Sequence, residues 1–186
     1  MAKTNLSGKT VAFLVANEGV EEVELTEPWK AVQDAGGRPQ LVSIESGEIQ
    51  AFNHLDKSHR FPVDQTVDRA RAADYAALVL PGGVANPDIL RTYPKAVAFA
   101  KSFATTGKPI AVICHGPWTL VEADVVRGRT ITSWPSVRTD LKNAGATWVD
   151  EEVVVDTSGP GPIVSSRRPD DLKAFCQTLV DTFATA

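Results

Sequence analysis

The segment IAVICHGPW, residues 110–118, ends an apolar run in a thiol and sets an imidazole directly after it. A cysteine at such a strand-to-helix turn is raised above the sheet, like the attacking residue of a hydrolase nucleophile elbow. Gly116 supplies the small residue two positions on, while Val112 fills the position two before, where an elbow has glycine. Pro117 suits the first turn of a helix, and the unpaired N–H groups there would favour a thiolate. Cys114 is therefore a candidate nucleophile or oxidant sensor, against the plain reading of a small buried residue. A second strand end, LPGGVANPD (80–88), carries Gly82 and Gly83. Their backbone N–H groups are free to turn toward an oxyanion, although a Gly-Gly pair alone makes only a tight loop.

Five glutamates, Glu18, Glu21, Glu22, Glu24 and Glu27, crowd the segment EGVEEVELTE. Acids at a helix start commonly serve only the dipole and solubility. Glu21 and Glu24 lie three apart, on one helix face. Either one aimed at Cys114 would have to be protonated to donate to a thiolate, because an ionised carboxylate raises the thiol pKa. Adjacent side chains at a turn usually diverge, so His115 is not expected to act as a simple base on Cys114. A carboxylate from elsewhere, such as Asp88, would orient it. His54 and His59 stand apart from any Cys or carboxylate cluster, which argues against a metal site. Cys176 shares an apolar helix face with Leu172, Phe175 and Leu179 and reads as core.

The elements that must position these residues follow a βαβ rhythm. Predicted strands cover 10–16, 38–45, 75–83 and 108–114, with an antiparallel pair at 148–156 and 162–167. Predicted helices cover 20–37, 92–107 (Thr92 as N-cap, Gly107 at the close), 116–126, 136–146 and 169–182. Residues 46–67 are polar and irregular, with a hairpin as one option, and the loop 157–162 is rich in Gly and Pro. The implied fold is α/β: a three-layer sandwich with a mostly parallel sheet and helices on both faces. Ligand sites in such sheets gather at the carboxyl ends of the strands, where Cys114 and Gly82–Gly83 both fall.

At 186 residues the chain is read as one domain, 1–186, able to bury a core without disulfides or metal. A net charge of −4, with no Lys/Arg run, speaks against nucleic acid or a polybasic membrane patch as partner. The apolar run Val11–Ala16 is too short for a signal peptide or a span. Two cysteines without an export signal point to a reducing, cytoplasmic setting.

The motifs VEEVELTEPW, FPVD, ALVLPGGVANPD, GKPIAVICHGPW, TSWPSVRTDLKNAGATWVDEEVVVD and SSRRPDDLKAF together resemble the ThiJ/PfpI superfamily, within it the PfpI-like intracellular proteases and general stress proteins. That resemblance implies a flavodoxin-like, class I glutamine amidotransferase-like fold. It implies Cys114 as a strained elbow nucleophile and Glu24 as the carboxylic acid bonded to its sulfur, with Glu21 nearby. The backbone N–H groups of Gly83 and His115 would form the oxyanion site, beside Gly82. Asp88, where some relatives have Glu, would orient His115 from a neighbouring subunit of a homodimer or larger homo-oligomer. No histidine follows His115, so the late His-x-Glu pair of true glutamine amidotransferases is missing. The implied function is a stress-response cysteine hydrolase without cofactor, acting on peptides, reactive dicarbonyls or glycated amines. The alternative is a non-enzymatic stress protein or chaperone whose Cys114 is oxidised to sulfenic and sulfinic acid. A third reading is a binding module with an inert pocket.

Overall fold

A computed structural model describes residues 5–186. In chain order the elements are β1 (Thr10–Leu14), β2 (Glu18–Glu21), α1 (Glu22–Asp34), β3 (Arg38–Ser43), β4 (Glu48–Asn53), β5 (Asp56–Pro62) and β6 (Gln65–Thr66). There follow β7 (Ala77–Leu80), α2 (Ala85–Arg91), α3 (Pro94–Thr105), β8 (Ile110–Ile113), α4 (Pro117–Glu122) and β9 (Thr130–Ile131). The chain closes with α5 (Arg138–Asn143), β10 (Thr147–Trp148), β11 (Val153–Asp156), β12 (Ile163–Ser166) and α6 (Leu172–Thr185).

The main sheet has the order β11-β12-β8-β7-β1-β3-β6, parallel throughout except for β11 against β12. Its central strands are apolar on both faces, as a parallel sheet covered twice requires. Ala12, Leu14, Leu78, Leu80, Ile110 and Val112 pack with α3, α4 and α5. Their alternates Val11, Phe13, Val79, Ala111 and Ile113 pack with α1 and α6. This is the predicted sandwich, a flavodoxin-like fold of the class I glutamine amidotransferase type. From β1 the chain winds outward to β3 and then returns to β7 on the other side. The crevice at that reversal is where such sheets bind ligands. No helix among the described residues is long and apolar enough to cross a membrane.

Several expected boundaries move. The helix expected over 20–37 begins only at Glu22, because Glu18–Glu21 pairs as a strand with β4. Glu21 is thus its N-cap residue and does not share a helix face with Glu24. The irregular 46–67 segment is the β4–β5 hairpin. Thr92 closes α2, an element the sequence did not reveal, and Tyr93 precedes α3. Residues 116–126 yield only the short helix α4.

Candidate active site

Strand β8 delivers Cys114 into the left-handed region at φ 61°, a conformation that costs a non-glycine residue about 1–3 kcal/mol. The turn is fixed from three sides. The Cys114 N–H donates to Ser166 O at 3.1 Å, the Trp134 N–H to Cys114 O at 2.9 Å, and the Gly116 N–H to Ile113 O at 2.9 Å. With only six residues behind it, the dipole of α4 lends less to a thiolate than the expected longer helix would.

The loop after β7 is held by Asn86, fully buried on α2. Its amide donates to Pro81 O and Gly82 O at 3.0 Å each, and its oxygen accepts the Ala16 N–H at 2.7 Å. Gly83 lies at φ 78°, and a Cβ there would stand 2.1 Å from Gly19 O. Glycine at 83 therefore lets the loop close onto the strand carrying Glu21. The Gly83 and His115 N–H groups both lie against the Cys114 sulfur and favour its charged form.

Beneath the thiol lies Glu24, with no exposed surface. Its Oε2 accepts the Gly82 N–H at 2.8 Å, while Oε1 is buried without a well-formed hydrogen bond. Desolvation raises its pKa to about 8, the sulfur and glycine contacts only partly opposing that rise. At neutral pH Glu24 is a protonated donor. Burial also pushes the Cys114 thiol up, and an ionised Glu24 pushes it further. The protonated acid removes that repulsion and offers a hydrogen bond to the thiolate.

His115 corrects one expectation. Its Nδ1 lies 3.1 Å from the Cys114 sulfur, so the adjacent side chains converge. They can do so because the left-handed φ of Cys114 turns the thiol back over the start of α4. Nε2 of His115 meets Ser136 Oγ at 3.2 Å, and the ring stacks on Trp134 (5.7 Å, 25°) and against Trp118 (5.3 Å, 59°). Burial lowers its pKa to about 4, leaving it neutral at pH 7.

A cavity of about 570 Å³ opens over these groups. Glu18, Glu21, His54, Leu55 and Asp88 also line it. Glu21 Oε2 accepts the His54 N–H at 3.0 Å, and Glu22 holds His59 through its N–H and ring, so two consecutive carboxylates clip the β4–β5 hairpin beside the site. Asp88 is exposed in the first turn of α2, and among the described residues no hydrogen bond joins it to His115. Cys176 is half-buried rather than fully in the core, at some distance in the chain from these elements. Sequence reasoning gave no role to Asn86, Ser136, Trp118, Trp134 or His54. Only the SWPS run, 133–136, hinted at the tryptophan and serine beside His115.

A model of the DJ-1/PfpI family matches residues 9–182. A protein of Pyrococcus horikoshii named a deglycase is 44% identical over 170 residues, 91% of this chain and 96% of its own. Two Bacillus subtilis proteins, a putative cysteine protease and general stress protein 18, are each 40% identical over 90% of this chain and 94% of their own. Among solved structures, a two-domain Anabaena variabilis protein with DJ-1/ThiJ/PfpI-like and ferritin-like domains superimposes at TM-score 0.83. It is 32% identical, covering 92% of this chain and 49% of that one.

Proposed function

The chain belongs to the DJ-1/PfpI family, and we propose that it is a stress-related cysteine hydrolase whose nucleophile is Cys114. The observation that carries this reading is the thiol at a strained elbow, 3.1 Å from a neutral imidazole nitrogen, at the base of an open cavity. The sulfur would attack a carbonyl carbon, forming an S–C bond while the C=O pair moves onto oxygen. The Gly83 and His115 N–H groups would hold that oxyanion. Where the substrate carries an amine, His115 would return a proton to it as it departs, and water would then release the product from sulfur. A free dicarbonyl has no departing group. Its hemithioacetal would first shift a hydrogen from one carbon to the next to give a thioester that water cleaves to a 2-hydroxy acid. The names of relatives favour glycated amines, with peptides and reactive dicarbonyls as the other carbonyl classes. As in the family resemblance, the working form is a homo-oligomer, which would bring Asp88 of a neighbouring copy to the mouth of the cavity near His115. The exposed position of Asp88 at the cavity rim supports this arrangement.

Turnover of a methylglyoxal-glycated amine, free methylglyoxal and a peptide by Cys114→Ser tests the reading. Activity on each substrate should fall by at least about a hundredfold. Full turnover on all three would overturn it.

One observation also favours the redox reading. Glu24 Oε1, buried without a well-formed hydrogen bond, is placed to donate to an oxygen added to sulfur. Peroxide would transfer one oxygen to the thiolate and leave as water, and a second peroxide would complete the sulfinate.

A further inference from the structure

We propose that Ser136 is the outlet for the Cys114 proton: its hydroxyl receives from His115 Nε2 what the thiol gives to Nδ1, and hands a proton on to solvent. The inference rests on Cys114 being the reactive group of the preceding section. The distances from sulfur to Nδ1 (3.1 Å) and from Nε2 to Oγ (3.2 Å) make one continuous hydrogen-bonded path through the ring. Trp134 covers one ring face and Trp118 leans on the ring, while His115 itself is only 7% exposed. Ser136, by contrast, is exposed. The path therefore begins inside and ends in water.

A single tautomer satisfies the resting state. To accept from the thiol, Nδ1 must be bare, so Nε2 carries the hydrogen and donates it to Ser136 Oγ. On ionisation the S–H bond breaks as Nδ1–H forms. Nε2–H breaks as a new Oγ–H forms, and the original hydroxyl proton passes to water or a buffer base. The ring ends neutral in its other tautomer, donating to the thiolate through Nδ1 and accepting from Ser136 through Nε2. This route suits a ring whose burial opposes a positive charge. The 3₁₀ turn Pro135–Val137 holds the hydroxyl, and the Trp134 N–H ties that turn to the elbow carbonyl at 2.9 Å. Ser136 is a positioning residue that acts through His115.

The test is the alkylation rate of Cys114 by iodoacetamide at neutral pH, read peptide by peptide with Cys176 as internal control. Ser136→Ala should slow Cys114 roughly 3- to 10-fold, the worth of one hydrogen bond, and Ser136→Thr should restore it. Nitrogen NMR of histidine-labelled protein should find the resting ring protonated at Nε2. A wild-type rate in Ser136→Ala, no recovery in Ser136→Thr, or a resting ring protonated at Nδ1 would overturn the proposal. So would slowing by Asp88→Asn alone, which would route the proton to a carboxylate in trans. Cys114→Ser turnover judges the hydrolase reading separately, because alkylation needs no substrate.

Discussion

At the scale of single residues, the site is a set of titratable groups that burial pushes toward their neutral forms. Glu24 is an acid kept neutral by burial, His115 is a base kept neutral by burial, and Cys114 is a thiol raised until its neighbours relieve it. Glu24 and the thiol are coupled, so loss of one proton opposes loss of the other. Below pH about 8 the acid is a donor and aids the thiolate. Above that value its charge opposes a second charge on sulfur. The rate of Cys114 oxidation by dilute peroxide, followed by mass spectrometry, should therefore rise less than about tenfold per pH unit beyond 8. In native protein it should exceed that of Cys176, whose thiol burial also raises and which has neither an imidazole nor a protonated acid beside it to favour the thiolate. Equal rates at the two cysteines would remove the case for a sensor. The Cys-His juxtaposition was visible in the sequence, but its meaning was not. Convergence depends on a φ of 61°, and a string of residue types carries no dihedral angle.

At the scale of elements, the strands that bear the chemistry were legible because they are apolar on both faces and end in Gly, Cys or Pro punctuation. The pieces that aim the chemistry were not. Helix α2 follows a Gly-Gly turn, includes Pro87 and has only seven residues, too few for a periodic signal. Yet its Asn86 joins the end of β1 to the loop after β7 through three buried hydrogen bonds. Asn86→Ala would strand one N–H and two carbonyl groups, so thermal or denaturant unfolding should show a loss of about 3 kcal/mol. A loss under about 1 kcal/mol would mean that the loop holds its shape without the clamp. Hairpin β4–β5 was hidden for another reason. Its outer strand is mostly polar on both faces, and Glu21 and Glu22 fasten it beside the site in addition to the apolar packing of Ile49, Ala51 and Phe61.

At the scale of the whole molecule, the layered α/β architecture followed from alternation of strand and helix, while the strand order and the treatment of buried charge did not. The loop 157–162 folds over Arg129, which donates to Asp156 Oδ1 at 2.9 Å and to Gly161 O at 2.8 Å. Gly159 is required because a Cβ there would meet the guanidinium at 2.1 Å. Although desolvation works against it, Asp156 is held below the usual carboxylate range by the Thr130 N–H, Arg129 and Ser158. Its contribution is present above the ordinary value of 3.8 and is lost as pH falls through the lowered one. Glu24 acts in the opposite sense. Its pKa climbs from 4.5 to about 8, so the fold is favoured most below 4.5 and loses that advantage as pH rises through 8. The difference amounts to about 5 kcal/mol across the window. Folding at neutral pH is consequently a proton-capturing reaction: Glu24 takes up most of one hydrogen ion as it leaves water, partly offset by the fraction of a proton that His115 gives up. Calorimetric unfolding at pH 7 in buffers of unlike ionisation heat should show that ion being released, with the enthalpy differing between buffers accordingly. Glu24→Gln should remove that release, leaving at most the small opposite contribution of His115, and a wild-type enthalpy indifferent to buffer would mean that the acid enters the fold already charged. Each molecule that folds thus carries in its own stored hydrogen ion the donor that its cysteine will later meet.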